Sequence, residues 1–327
     1  MVFFTALVAV ALLLAAAIPG YLMIKKKMVS EACIPGFSKV LLYVSQPCLA
    51  VYTFKSSAYS LEKLIDVGKF ALLSAAIFAI MIGSAYLLLR HRYEKSIYRV
   101  MTFAVGSANC AFFGIPIIEA LMPEIAADVI IFTMVYSLVM NLIGWTVGSA
   151  IMTRNIKYVS LKKMVVNPAF IGTAVALLLF ITELPIPVFG ATPDMANHIE
   201  RMVDSVVSII TVTAKMSTPI SMLVMGMRLA TMDFKRMFVN VRVYATIFAK
   251  QIVMPLVALL LVVFLPISSD LKSTFFIICA CPVASVTLNY AEIVGEGQEE
   301  AASMLLVGTM LSILTLPLMA LLLPLLG

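Results

Sequence analysis

The chain has 327 residues, of which 62% are hydrophobic and 12% charged, and it carries a net charge of +6. A charged fraction about half that of ordinary domains excludes a soluble globular protein. The apolar residues fall in runs of about 20, long enough to cross roughly 30 Å of hydrocarbon.

Ten spans are predicted, at 2–24, 37–54, 67–89, 100–121, 127–152, 165–182, 203–227, 237–264, 273–293 and 300–325. In the first, Ala15-Ala16-Ala17 offers the small residues of a cleavage site. No basic segment precedes it and Lys25-Lys26-Lys27 follows, so it reads as a retained helix. The second carries Gln46-Pro47. The third opens with Asp66 and Lys69, one turn apart, which reads as a solvated helix-end pair. The fourth is interrupted by Asn109-Cys110-Ala-Phe-Phe-Gly114-Ile-Pro116. The fifth holds Asn141 at mid-span with Tyr136 and Ser137 about one turn away. A buried amide there either joins helices or reads a ligand.

A short basic linker, about 153–164, leads to a sixth span that opens with Asn167-Pro168, a capping Asn followed by a first-turn Pro. The seventh carries Lys215 just before Thr218-Pro219. Its stem is long enough to snorkel to the surface, so structural and functional readings stand even. The eighth carries Lys250, eight residues from Arg242 and thus about 12 Å deep. An unpaired lysine there costs about 2.5–3.5 kcal/mol, which points to a group serving the transported charge, against a lysine paired for folding alone. The ninth span breaks at Cys281-Pro282, with Ser285, Thr287 and Asn289 following. His91 and His198 both fall in connections, so no histidine relay crosses the membrane. The five cysteines show no metal-ligand spacing and read as apolar filler.

Broken helices at membrane depth survive only where packed in protein or lining a wet cavity. Two breaks in matching positions of two halves point to a transporter's binding site. The candidate substrate-binding residues are therefore Asn109, Cys110, Gly114, Pro116, Tyr136, Asn141, Pro282, Ser285, Thr287 and Asn289, and the candidate charge or coupling residues are Lys250, Asp66, Lys69 and Lys215. The loops after spans 1, 3, 5 and 7 hold four bases each, and the opposite side holds Lys55, Lys63, Lys69, Arg201 and Lys272. The positive-inside rule then puts both termini outside the cytoplasm. The loop after span 9, with Glu292, Glu296, Glu299 and Glu300, is the exception. Five spans per half require two halves of opposite orientation, an inverted repeat of 1–152 and 165–327 joined by 153–164. Gln46-Pro47 and Thr218-Pro219 lie 172 residues apart, and the same offset lays span 4 over span 9.

The chain resembles the auxin efflux carrier family, which includes the plant PIN-type auxin transporters and bacterial organic-acid permeases. The resemblance rests on Asn109 to Pro116, on Cys281-Pro282-Val-Ala, on Tyr136 to Gly148 around Asn141 and Trp145, on Leu314-Thr315-Leu-Pro317, and on Lys250 with Pro255. It implies an all-α fold in which helices 4 and 9 cross at their breaks. It further implies a dimerising scaffold of helices 1, 2, 6 and 7, and a moving transport domain of helices 3–5 and 8–10. Asn109 matches the family's substrate-contacting Asn, and Asp66 with Lys69 resembles an acidic–basic pair in helix 3. Ala108 stands where plant members carry Pro, and the short linker resembles bacterial members, so auxin itself is not the expected substrate.

The expected protein is a secondary transporter for small organic anions of the carboxylate class, working by an elevator-like motion in the plasma (inner) membrane. Its expected partners are the anion, the bilayer, a coupling ion (H+ or Na+) and a second copy of the chain. No cofactor, nucleic acid or enzymatic activity is expected. A ligand-sensing receptor or an anion channel of the same fold is the alternative.

Overall fold

The computed structural model describes residues 1–155, 168–182 and 198–327. Most of the predicted linker at 153–164 and the Asn167 cap lie outside the described residues. Those described are predominantly helical, with no strand among them. Seven helices are long and apolar enough to cross a membrane, among the described residues. They are α1 (Val2–Lys25), α2 (Glu31–Lys55), α3 (Leu61–Arg92), α5 (Ala126–Thr153), α7 (Val206–Thr231), α8 (Val241–Val263) and α10 (Gln298–Ala320). Between them lie α6 (Pro168–Thr182) and two interrupted segments. The first is α4a (Ser96–Ala104) with α4b (Cys110–Leu121), and the second is α9a (Ser269–Ala280) with α9b (Val286–Val294).

Local chemistry sets several helix starts. Ser60 accepts from the Lys63 N–H at 3.0 Å, so α3 begins at Leu61, a turn and a half before the predicted 67. Asn240 caps α8 through the Arg242 N–H, and Ser268 caps α9a through the Leu271 N–H. Of the four short π turns among the described residues, three lie at Leu41–Ser45, Cys110–Gly114 and Ala249–Val253, and the fourth at Gly144–Gly148. Each of the first three runs straight into a segment with Pro near its start: Pro47, Pro116 and Pro255. Proline has no N–H to give and its ring crowds the carbonyl four residues back, so the ladder widens there.

Packing sorts the helices. α6 lies along α2, and the second part of α1 lies along the second part of α7. α3 packs on α5, the start of α8 on α10, and the remainder of α8 on α9a. Without a hydrophobic drive between helices in lipid, close approach depends on small residues. At the α1–α7 seam, a Cβ on Gly20 would lie 2.0 Å from the Leu223 carbonyl oxygen and one on Gly226 would lie 1.8 Å from that of Ala17. Elsewhere aromatic rings lock the bundle: Phe70 of α3 stacks on Phe132 of α5 at 4.8 Å and meets Phe275 of α9a edge-on.

Polar contacts tie several helix ends into one face. Tyr98 accepts from Arg92 and Arg242, Arg99 pairs with Glu296 and donates to the Met152 carbonyl, and Arg154 reaches Glu94. At the other end, Lys63 lies 3.8 Å from Asp128, and the terminal turn Leu323–Leu326 packs on α9a.

Candidate functional site at the crossing of two interrupted helices

The two interruptions meet. The Asn109 N–H donates to the Pro282 carbonyl at 2.9 Å, and the Ser107 and Thr287 hydroxyls share a hydrogen bond of 2.7 Å. Each break would otherwise strand backbone groups at membrane depth. Tyr136 resolves one by donating from its hydroxyl to the Gly106 carbonyl at 3.1 Å, and the Gly114 N–H donates back to the Asn109 carbonyl at 3.0 Å. Lys250, fully buried, donates its ammonium to the Cys279 carbonyl at 2.7 Å. That carbonyl is among the last of α9a, where the helix dipole is negative, so a cation is well placed.

Beside the crossing is a cavity of about 100 Å³. Asn109, Cys110, Asn141, Ser285 and Asn289 line it, five of the predicted binding residues brought together. The starts of α4b and α9b both face it, through Cys110 and Val286, and the Asn109 side chain makes no cap bond to the turn that follows. Helix starts present N–H groups and a positive dipole end, which suit an anion. Asn141 donates to the Ser137 carbonyl, leaving its amide oxygen as an acceptor. Space of this size and polarity accommodates several waters or a small polar ligand.

The remaining predicted residues stand around the cavity or away from it. Tyr136, Pro282, Thr287 and Gly114 hold the crossing itself, and Lys250 steadies it from behind. Pro116 faces a groove with α1 and Pro219. Asp66 and Lys69 form an i,i+3 ion pair at 2.9 Å on the α3 surface, inside the helix rather than opening it. Lys215 is exposed, its ammonium 6.0 Å from the centre of the Tyr52 ring. No cluster of metal-ligating side chains occurs among the described residues.

Sequence reasoning misses the side of the cavity formed by α2 and α7. Gln46 lines it, its amide 3.5 Å from the Ser137 hydroxyl, and so do Ser38, Ser221 and Arg228. The predicted seventh span stops at 227 and leaves Arg228 in a loop, whereas α7 continues to Thr231. Arg228 is the one charged side chain among the described lining residues.

Two crossing, interrupted helices beside a largely apolar cavity that carries a few amides, hydroxyls and one guanidinium, in a bundle of membrane-length apolar helices, define a membrane transporter. The profile of the family described as membrane transport protein matches residues 5–155 and 148–320. The chain belongs to this family, that of the auxin efflux carriers. No curated protein matches it at a significant level.

Proposed function

We propose that the protein is a secondary transporter that carries small organic anions, of the carboxylate class, across the plasma (inner) membrane. The observation that carries this reading is the cavity at the crossing: two helix starts, neutral amides and hydroxyls, one cation and no carboxylate among its described lining. A carboxylate placed there meets N–H donors and the positive dipole ends of α4b and α9b.

An elevator-like mechanism in ten spans, arranged as two inverted five-helix repeats, fits the packing. A two-fold relating helix 1 to 6 and 2 to 7 turns the α1–α7 contact into the α6–α2 contact, and both occur. It likewise turns α1–α10 into α6–α5, and α3–α5 into α8–α10, which also occur. The Ser217 hydroxyl donates to the Ser45 carbonyl across the offset of 172 residues that aligns the halves. On this reading α1, α2, α6 and α7 are the fixed scaffold of a homodimer, and α3–α5 with α8–α10 carry the site, driven by a coupling ion, H+ or Na+.

The test is uptake of radiolabelled carboxylates into proteoliposomes. Saturable accumulation, lost in Asn109→Ala, is the expected result. Binding with no uptake would mark a receptor, and non-saturating flux a channel.

A further inference from the structure

We infer that Arg228 is the anion receptor of the cavity and that Glu292 is its internal competitor, a tethered carboxylate occupying the arginine until the transported one displaces it. This rests on the transport reading and adds the residue that selects for charge.

The geometry is specific. One terminal nitrogen of Arg228 donates to a Glu292 carboxylate oxygen at 2.8 Å, and the other donates to the Ser38 hydroxyl at 3.3 Å. A guanidinium has five N–H donors in a planar fork, so two bonds leave capacity for a further acceptor. The Arg228 side chain is 18% exposed and that of Glu292 is 45% exposed. Glu292 is thus held at one oxygen and half in solvent, the kind of pair that solvent and salt weaken. Arg228 lines the cavity, whereas Glu292 sits one turn beyond Asn289, outside the lining. A ligand carboxylate arriving between Asn109 and Asn289 reaches the same guanidinium from the cavity side and can engage it at two nitrogens.

The two lysines inside spans do not line the cavity. Lys250 is spent on the Cys279 carbonyl, and Lys215 is exposed beside Tyr52. The pair also joins α7 to α9b, the proposed fixed and moving units. Substrate that takes the arginine from Glu292 therefore replaces a direct tie between them with one that runs through the ligand, so occupancy of the cavity is read at the boundary of the two units.

The experiment measures binding of acetate, succinate and phenylacetate to purified protein by thermal-shift titration, with succinamide as the uncharged control. Wild type, Glu292→Gln, Arg228→Gln, Arg228→Lys and the double Gln variant are compared. Glu292→Gln should tighten carboxylate binding by up to about fivefold, the worth of a half-exposed pair. Arg228→Gln should weaken it about 10- to 150-fold, with partial rescue in Arg228→Lys. The double variant should match Arg228→Gln, since a competitor without its receptor has nothing to compete for. Unchanged or weakened binding in Glu292→Gln overturns the competitor role, and this variant decides the matter even if Arg228→Gln misfolds. Equal weakening by both single variants would make the pair a plain structural clasp. Binding that depends on Asn109 but not on Arg228 sinks this inference and leaves the transport reading standing. Equal binding of succinamide and succinate, or no carboxylate binding by wild type or Glu292→Gln, sinks both.

Discussion

At the scale of single residues, the site depends on what each break does with its free polar groups. Asn109 spends its backbone on the crossing and keeps its amide for the cavity. Asn109→Ala should therefore leave a folded protein whose carboxylate affinity falls by about 1.5–3 kcal/mol, or roughly 10- to 150-fold. Thermal-shift titration beside a size-exclusion profile checks this, and unchanged affinity would remove Asn109 from the site. Lys250 is a different case. Burying its charge costs about 2.5–3.5 kcal/mol, and its bond to a carbonyl returns about 1.5–3 kcal/mol. The two nearly cancel, so Lys250→Met should shift stability by no more than about 1–2 kcal/mol. Transport should nevertheless fall steeply, because the carbonyl it holds lies three residues before the one that binds Asn109. Full transport at normal expression would make the lysine dispensable. Asn109, Asn141, Ser285 and Asn289 are legible in the sequence because an apolar run in lipid penalises amides and hydroxyls unless they serve a break or a ligand. Arg228 is not, because a base near the end of a span has the same sequence signature as a base in a loop.

At the scale of elements, small residues and prolines divide the work. The α1–α7 seam is backbone against backbone at Gly20 and Gly226. Gly226→Ala places a methyl group against the Ala17 carbonyl and must push the helices apart, at a cost of about 1–3 kcal/mol. Gly83, in the middle of α3, has nothing within 4 Å of an added Cβ. Gly83→Ala should stabilise the protein by about 0.5–1 kcal/mol through helix propensity alone. Thermal unfolding in detergent should thus move in opposite directions for the two variants, and a shared direction would mean that the seam is not tightly packed. Prolines make most bends readable: Pro47, Pro116 and Pro255 each follow a π turn. The π turn at Gly144–Gly148 has no proline and leaves no sequence signal. There Thr146 and Ser149 hydroxyls bond back to carbonyls of the preceding turn, a competition with the helix ladder that sequence alone does not reveal. The start of the third span is hidden for a related reason. Ser60 and the residues after it are polar enough to look like loop, yet they form the capped start of α3.

At the scale of the whole molecule, the charge asymmetry has a physical counterpart. The bases that the sequence counts as cytoplasmic are not scattered tips. Arg92, Arg99, Arg154 and Arg242 are drawn into one polar face by Tyr98, Glu94, Glu296 and the Met152 carbonyl. That also accounts for the acidic loop after α9b, the exception to the count. Glu296 and Glu292 lie on the basic face because they neutralise Arg99 and Arg228 there. The chain's last turn, Leu323–Leu326, packs on α9a at the opposite face. On the proposed reading of ten crossings, Met1 and Gly327 share a side, and the positive-inside rule predicts that side to be outside the cytoplasm. In a cysteine-free background, Gly327→Cys should react with an impermeant maleimide in intact cells. Met28→Cys, 70% exposed in the loop after α1, should react only after the membrane is opened. The reverse pattern would invert the topology, and labelling of both sites in intact cells would break the even count on which the paired, inverted halves depend.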